Sequence, residues 1–516
     1  MAGRMSARNL KVLFVAAEVA PFSTVGGLSQ VAYFLPRALL RRGVDIRIFT
    51  PKYGTFNESK FGTKMLAEGL RVPTGETTID RPAELICNVR VFNETRKSEP
   101  TVYFLENQEY YEKRANVYGY SDDHIRFGLL SRGTLEFILA SGFEPDLIHA
   151  NDWHTGYLAD YLRNAYQDNP ILKKISVVQS VHNLFQGNFD FAHASEMDYD
   201  DGKSDLASFY TDRFYKQNAL KRGIINADVV NTVSETYSRE IMLPEYGWGL
   251  EKLFKELRGK LFGVLNGLDY QDFNPATDKI LKNNYSAGNL RNRTENKLDL
   301  QKEFNLEINP DRPILAISGR LDSQKGLDLI ISCLPFILDE FSIVQFVALG
   351  GGDSAIRDKL IELEKKYPGR VGTHLMPDFV LPRKIFSGAD IMLMPSRYEP
   401  GGIVAVEAMR YGCVPLVRET GGLNDSVVDF DPRQNIGTGF KFKNYAQESF
   451  LVAVVRALET YKNKHVWNQL VKRAMSQDFS WEHVAEKYLD LYTRAVEFRR
   501  EALLPNPPGA FRQTVV

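Results

Sequence analysis

The feature that most constrains the fold is an alternation of short apolar runs with helix-like segments. In the first half of the chain the apolar runs cover residues 12–17, 45–50, 101–105, 146–150, 176–181, 228–233 and 261–265. They lack the polar alternation of a half-exposed strand, and segments with helical periodicity lie between them. Runs of this kind predict parallel strands covered on both faces by helices, so the expected fold class is α/β.

A polar segment interrupts this rhythm once. Residues 269–312 are rich in Asn, Asp and Lys, and six apolar runs follow at 313–318, 344–349, 371–376, 390–395, 414–417 and 439–442. The pattern predicts two doubly wound, Rossmann-like domains in series, with a cleft between them as the expected site. We place these domains at residues 1–270 and 271–480, a last helix at 481–503 and a flexible tail at 504–516.

Composition excludes several classes of protein. The 64 Lys and Arg residues balance 65 Asp and Glu residues, so the chain lacks the basic excess typical of a nucleic-acid binder. Only three, widely separated cysteines occur, which suits a reducing compartment. No apolar run approaches the roughly 20 residues of a membrane helix, and Glu18 ends the first run after six residues. These observations predict a cytoplasmic protein with no membrane partner.

Glycine pairs and charged residues follow the predicted strands. Gly26 and Gly27 lie between the first strand and the first helix, where backbone N–H groups and the helix dipole suit a phosphate. The alternative is a plain tight turn. Arg320 and Lys325 lie in one strand-to-helix loop and offer two cations to an anion such as a diphosphate leaving group. The alternative there is a solvated charged loop.

Two histidine clusters also follow strands. His182 and Asn183 offer hydrogen-bonding groups suited to hydroxyls, unless His182 only caps the sheet. His149 and His154 flank Asp152 with a spacing that could suggest zinc, but no third ligand stands nearby, and we expect no metal.

Two carboxylates mark the most informative loop. Glu399 follows a strand, and Glu407 lies eight residues later among Ile403, Val404 and Val406. A carboxylate in apolar surroundings is costly unless it has a partner, and a hydroxyl-rich ligand would supply one. The alternative is a pair of ordinary surface carboxylates. A further Gly-Gly turn at Gly421 and Gly422 predicts a second anion cradle.

In this order, the motifs resemble the bacterial glycogen synthase and plant starch synthase family of two-domain retaining glycosyltransferases, termed GT-B. The resemblance covers about residues 12–496. It rests on motifs shared across both halves, namely Val25-Gly26-Gly27-Leu28, Asp152-Trp153-His154, His182-Asn183-Leu184, Gly263–Asp269, Arg320 with Gln324-Lys325-Gly326, Pro395–Pro400, Thr420–Leu423 and Asp478–Trp481.

The resemblance implies an enzyme that transfers glucose from ADP-glucose or UDP-glucose to the 4-OH of an α-1,4-glucan, with retention of configuration. It also implies two domains facing a cleft, a last helix that crosses back to the N-terminal domain, and no cofactor or metal. The alternatives are a GT-B glucosyltransferase with another acceptor, or a non-catalytic glucan-binding relative. The oligomeric state stays open.

The resemblance also assigns roles to residues. The implied catalytic residues are His182, Arg320, Lys325 and Glu399. Donor and phosphate contacts are implied for Gly26, Gly27, Asn266, Gly401, Gly402, Glu407, Thr420, Gly421 and Gly422. On the sugar and acceptor side the implied residues are Asp152, His154, Asn183 and Gln186.

Four positions depart from the family's usual pattern. Thr24 stands where a lysine is usual, Gln30 where an aspartate is usual, and Gly401 where a cysteine is usual. Pro377 stands where bacterial relatives carry the aromatic residue that stacks on adenine, and Phe379 follows two residues later. These departures predict relaxed choice of the donor base.

Overall fold

The structure is a computed structural model that describes residues 10–93, 99–184 and 200–504. Its contacts divide the chain into two compact units. The first unit runs to Val233, resumes over Ser238–Gly267 and includes the segment from Trp481 onward. The second unit contains Ser234–Tyr237 and Leu268–Ser480. The boundary therefore falls three residues before the expected position 270, and Ser234–Tyr237 groups with the second unit.

The first unit is built on a nine-stranded sheet with the order β3-β4-β5-β2-β1-β6-β7-β8-β9. Its strands are β1 (Lys11–Val15), β2 (Asp45–Pro51), β3 (Lys64–Pro73), β4 (Glu84–Phe92), β5 (Thr101–Glu106), β6 (Leu147–Asn151), β7 (Ser176–Val181), β8 (Val229–Thr232) and β9 (Leu261–Gly263). The seven predicted strands are confirmed as parallel neighbours.

Strands β3 and β4 were not predicted; they pair antiparallel with each other, and β4 also pairs antiparallel with β5. Strand β3 lies at the edge of the sheet and is mostly exposed. Strand β4 alternates between buried and less buried residues. Neither presents the continuous apolar run of a strand covered on both faces, so the prediction of an all-parallel sheet is wrong at this edge.

The helices of the N-terminal half alternate with these strands. They are α1 (Gly27–Arg41), α2 (Asp123–Ser141), α3 (Gly156–Arg163), α4 (Asp212–Lys216), α5 (Ala219–Asn226), α6 (Glu235–Glu240) and α7 (Glu251–Glu256). One core of this unit lies where α1 and the last helix, α16 (Trp481–Ala502), pack on the sheet. The last helix begins at the predicted Trp481 and ends one residue before the predicted end at 503, and the tail beyond Leu504 lies outside the described residues.

The second unit has a six-stranded sheet, all parallel, with the order β12-β11-β10-β13-β14-β15. The strands are β10 (Ile314–Ser318), β11 (Gln345–Leu349), β12 (Val371–His374), β13 (Ile391–Met394), β14 (Val414–Arg418) and β15 (Phe440–Phe442). The helices are α8 (Arg293–Glu303), α9 (Leu327–Glu340), α10 (Ser354–Lys366), α11 (Leu381–Gly388), α12 (Ile403–Arg410), α13 (Gly421–Ser426), α14 (Gln447–Lys462) and α15 (Lys464–Met475).

Each sheet has a point where the strand order reverses. In the first unit the chain moves outward from β1 to β2 on one side and to β6 on the other. In the second unit it moves from β10 to β11 on one side and to β13 on the other. Ligands of open α/β sheets bind outside the carboxyl ends of strands at such reversals. The loops after β1, β6, β10 and β13 are therefore the places to look for a site.

Candidate functional site

The loop after β1 is organised around a buried carboxylate, that of Glu18. Its oxygens accept the backbone N–H of Val25 at 2.6 Å and that of Gly26 at 3.0 and 3.1 Å. Burial raises the pKa of Glu18, although the hydrogen bonds from these two amides oppose that shift. Of the predicted phosphate cradle, the Gly26 amide is thus already bound to Glu18. The amide of Gly27 is the first of α1 and has no acceptor within the helix.

The family departures in this loop do not affect packing. Thr24 and Gln30 are both exposed, as are Gly26 and Gly27. A lysine at position 24 or an aspartate at position 30 would therefore lie at the surface. The fold can therefore accept Thr24 and Gln30 as well as the usual lysine and aspartate, and the departures change only the charge that this loop presents.

The loops after β6 and β7 are joined through Asp152. This residue has φ +54°, a region that favours glycine, and its carboxylate accepts the backbone N–H of His182 at 2.8 Å. Burial raises the pKa of Asp152, while His182 and the amide of Asn183 oppose the shift. Asp152 therefore fixes the backbone at His182, and its place on the sugar side of the site stays a prediction.

The ring of His182 is oriented by Asn151, a residue that sequence reasoning missed. Asn151 donates its side-chain N–H to the Val15 carbonyl at 3.0 Å, so its oxygen is the acceptor for His182 Nε2 at 2.9 Å. This network assigns the proton to Nε2 and leaves Nδ1 as an acceptor. His182 Nδ1 has no partner among the described residues, so it can accept a hydrogen bond from a hydroxyl. The sequence signal that could have identified Asn151 is a polar residue at the end of a buried strand.

The two other histidines of this region are buried. His149 is fully buried and bonds to Tyr492 and to Ser180, each at 2.7 Å. His154 is enclosed by the rings of Tyr118, Phe127 and Trp153, and burial lowers its pKa to about 3. The structure therefore places His154 in an aromatic core, where it supports the neighbouring loop. Within residues 10–93, 99–184 and 200–504 no three His, Cys, Asp or Glu side chains form a metal-binding group.

The remaining predicted residues of the first unit are Asn183, Asn266 and Gln186. Asn183 is half-buried. Asn266 follows β9, and its buried side-chain oxygen has no partner in the part of the chain that the structure describes. Gln186 lies outside the described residues.

In the second unit, Lys325 and Glu399 form an ion pair. Lys325 Nζ lies 2.7 Å from Glu399 Oε2, and Ser396 donates to the same oxygen at 3.1 Å. Both side chains are largely buried, so the pair is charge-assisted and poorly screened by solvent. The pair joins the loop after β10 to the loop after β13, across the reversal of strand order.

Backbone geometry enforces this approach of the two loops. Gly326 has φ +72°, and a Cβ there would lie 2.0 Å from the Pro395 carbonyl oxygen. The N–H of Arg397 donates to the Gln324 carbonyl at 2.8 Å. Because a side chain at position 326 would force the loops apart, glycine is required there.

Arg320 does not join this pair. Its guanidinium lies 3.1 Å from Asp322 and 3.0 Å from Gln324, and its side chain is 66% exposed. Lys325 contacts Glu399 whereas Arg320 faces solvent, so the two cations share no partner here, and their joint role at one anion stays a prediction. An exposed guanidinium remains accessible to a phosphate.

The loop after β14 also closes on Glu399. Gly421 has φ +43°, and a Cβ there would lie 2.0 Å from the Glu399 carbonyl oxygen. The N–H of Gly422 donates to the carbonyls of Glu399 and Pro400, each at 3.0 Å, so it is not available to a phosphate. Thr420 keeps a buried hydroxyl without a partner among the described residues. Gly402, with φ +62°, begins α12, and Gly401 precedes it.

Glu407 is the second carboxylate of the predicted pair. It is half-buried on α12, and burial raises its pKa to about 7, against the opposing charge of Arg383. A carboxylate that is costly to ionise is expected where a ligand supplies hydrogen-bond donors.

The loop after β12 presents Phe379 to solvent. Phe379 is 94% exposed, and the carboxylate of the preceding Asp378 accepts the N–H groups of Val380 and Leu381. Pro377 instead lies against Gly351, where an added Cβ would meet its ring at 3.0 Å.

Known proteins are similar to this chain in sequence and fold along nearly its whole length. The family described as starch synthase catalytic domain matches residues 11–256, and the family described as glycosyl transferases group 1 matches residues 300–473. Glycogen synthases of Thermotoga petrophila and Clostridium novyi are 38% and 39% identical over 494 and 489 residues, covering 94% of this chain and 99% of each relative. The chain belongs to the glycogen and starch synthase family.

A solved structure of a starch synthase has the same fold as this chain. The catalytic domain of starch synthase IV from Arabidopsis thaliana, bound to ADP and acarbose, matches with a TM-score of 0.79 and 32% identity. The match covers 95% of this chain and 99% of that one. The predictions of a GT-B fold and of a glucosyltransferase acting on a glucan are thereby confirmed. Within the described residues no helix has the length and apolarity of a membrane span.

Proposed function

We propose that this enzyme transfers glucose from ADP-glucose to the non-reducing 4-OH of an α-1,4-glucan, with retention of configuration. The Lys325–Glu399 ion pair carries the proposal, because it lies at the reversal of strand order where α/β sheets bind nucleotides. The starch synthase IV structure supports it, since that relative was solved with ADP and acarbose.

The proposed reaction needs cations at the diphosphate. Arg320 and Lys325 supply them from one loop, and the exposed guanidinium of Arg320 is accessible to a phosphate. The unpartnered hydroxyl of Thr420 and the N-terminus of α12 add donors. We propose that these groups replace a metal ion in stabilising charge on the leaving group.

The transferred sugar is proposed to contact His182 and Glu399. His182 Nδ1 would accept a hydrogen bond from a sugar hydroxyl, with Asn151 and Asp152 fixing the ring and its backbone. Glu399 would bind sugar hydroxyls, and its charge would stabilise positive character at the anomeric carbon. We further propose that the enzyme works in the cytoplasm, which the three buried free thiols support.

Glu407 is proposed to bind the ribose hydroxyls, and this makes donor binding depend on pH. Hydrogen bonds from hydroxyls favour the ionised carboxylate, so donor binding releases the proton that a pKa of about 7 retains. We expect KM for the donor to fall as pH rises from 6 to 8 and expect this trend to vanish in Glu407→Gln. A wild-type KM that rises over this range would contradict the assignment.

The raised pKa of Glu407 also predicts that the free energy of unfolding falls as pH rises, whereas donor binding is expected to improve. The pKa of Glu407 is raised from 4.5 to about 7 in the folded protein. The protonated side chain therefore contributes to the free energy of unfolding in full below pH 4.5, and this contribution is lost as pH rises through 7. Glu407→Gln should therefore raise Tm at pH 8 relative to wild type and leave it nearly unchanged at pH 4.5. Thermal unfolding at both pH values measures this.

Donor choice tests the proposed donor itself. Pro377 stands where bacterial relatives carry the aromatic residue that stacks on adenine, and it packs against Gly351, while the ring of Phe379 extends into solvent. Ribose and diphosphate, which all nucleotide donors share, would then provide most of the binding. We expect kcat/KM on one glycogen primer to favour ADP-glucose over UDP-glucose by less than about 100-fold, or roughly 2.7 kcal/mol. A preference for UDP-glucose would contradict the proposed donor, and a far larger ADP-glucose preference would show that the loop reads the base.

A further inference from the structure

The loop that carries Arg320 and Lys325 also contains a carboxylate, that of Asp322. Its oxygen Oδ2 lies 3.1 Å from Arg320 Nη1, and its oxygen Oδ1 accepts the backbone N–H of Lys325 at 3.2 Å. Asp322 therefore contacts both residues that are proposed to bind the diphosphate. The transfer reaction itself gives this carboxylate no role, because a negative charge is unfavourable beside a leaving diphosphate.

The guanidinium of Arg320 has acceptors within its own loop before any ligand binds. Nη1 faces Asp322, and Nη2 donates to Gln324 Oε1 at 3.0 Å. An arginine binds a phosphate most strongly when two of its N–H groups point at the phosphate oxygens in parallel. Because each terminal nitrogen of Arg320 already has a partner, a diphosphate must compete with the chain for at least one of them.

The backbone beside Asp322 is held in place by the loop after β11. The N–H of Leu321 donates to the Gly351 carbonyl at 2.9 Å, and the Leu321 carbonyl accepts the N–H of Asp353 at 2.8 Å. A Cβ at Gly352 would lie 2.3 Å from the Leu321 carbonyl oxygen, so the two loops are in direct backbone contact. The carboxylate of Asp322 therefore stays near Arg320 when a ligand arrives.

We propose that Asp322 is a positioning residue that competes with the diphosphate for Arg320, and that it thereby weakens the binding of both the donor and the nucleoside diphosphate product. When Arg320 turns to a phosphate, its ion pair with Asp322 is lost, and the free energy of that pair is subtracted from the free energy of binding. The inference rests on the proposed function, since it requires a diphosphate at Arg320. Its consequence is a higher KM for the donor and weaker inhibition by the product.

The variant Asp322→Asn removes the ion pair and keeps the turn. Asparagine caps a helix start as well as aspartate does, so its Oδ1 retains the hydrogen bond from the Lys325 N–H. Its NH2 group then faces Arg320 and offers no acceptor. A matched control is Asp299→Asn, because Asp299 lies on α8 at 3.4 Å from Lys384 and its side chain is 29% exposed, the same fraction as that of Asp322.

The test measures Kd for ADP by isothermal titration calorimetry at low ionic strength, where screening is weakest. We expect Asp322→Asn to bind ADP about 5-fold more tightly than wild type, the scale of one partly exposed ion pair, and Asp299→Asn to bind it like wild type. In steady-state kinetics the gain should appear in KM for ADP-glucose rather than in kcat, because the competitor is removed from ground state and transition state alike. A merely structural role of Asp322 would predict weaker binding and a lower Tm, not tighter binding.

The variant Arg320→Ala shows whether Asp322 acts through Arg320. This single change should weaken ADP binding, and adding Asp322→Asn to it should bring no gain, since the competition then has no object. Equal or weaker ADP binding by a folded Asp322→Asn protein, or a gain that persists without Arg320, would overturn the inference while the proposed function stands. Unchanged ADP binding by Arg320→Ala alone would instead refute the diphosphate role of Arg320, and the inference would fail with it.

Discussion

Replacing Lys325 with alanine should lower kcat by about 10²–10³-fold, the scale of removing one preorganised charge donor from an active site. Lys325 is the largely buried cation at the reversal of strand order, and its ion pair with Glu399 fixes its position before a donor binds. A diphosphate leaving group gains most from a charge that needs no reorganisation at the moment of reaction. Steady-state kinetics with saturating donor and glycogen measure the loss.

A matched control is provided by Lys384→Ala. Lys384 pairs with Glu303 at the same 2.7 Å, on a different surface of the second unit. Loss of that pair should leave kcat near the wild-type value, because Lys384 lies on α11 and not in the loops after β10 and β13. Near-normal kcat in a folded Lys325→Ala variant would show that the phosphate role is wrong.

Replacing Glu399 with alanine should abolish most turnover while the protein stays folded. Glu399 lies on a loop, and the loop's shape is held by backbone hydrogen bonds from Gly422 and Arg397 rather than by its carboxylate. Loss of an electrostatic contact to the reacting sugar is expected to cost about 10³-fold in kcat. Tm and kcat measured together separate this from unfolding.

Glu399→Gln then separates charge from shape. The amide keeps the size of the side chain and can still accept from Ser396, but it removes the ion pair with Lys325. We expect kcat of this variant to fall close to that of the alanine variant, whereas Glu303→Gln should have little effect. A fully active glutamine variant would mean that the charge of Glu399 is not used.

The parallel strands could be predicted because burial on both faces leaves a clear pattern. Strands β10 and β13 read as uninterrupted apolar runs, and the chemistry-bearing residues follow them directly. Edge strand β3 could not be recognised in this way, since most of its side chains face solvent. Position after a strand was thus enough to find Lys325 and Glu399, while their roles stay predictions.

Contacts between distant loops could not be predicted. The sequence shows that Gly26 lies next to a helix start, but it does not show that the Glu18 carboxylate accepts a hydrogen bond from the Gly26 N–H. Likewise, Asp152 and His182 are separated by 30 residues, and only the pairing of β6 with β7 brings them into contact. Side-chain direction in such loops depends on tertiary contacts, which spacing along the chain does not encode.

The central claim is glucosyl transfer to the end of an α-1,4-glucan, and analysis of the labelled product tests it most directly. The purified protein is incubated with ADP-glucose labelled in the glucose unit and with glycogen, and the polymer is then digested with β-amylase, which cleaves α-1,4 bonds from non-reducing ends. The account predicts label in the polymer and its release as maltose. Label found only as free glucose, or polymer label that resists β-amylase, would contradict it.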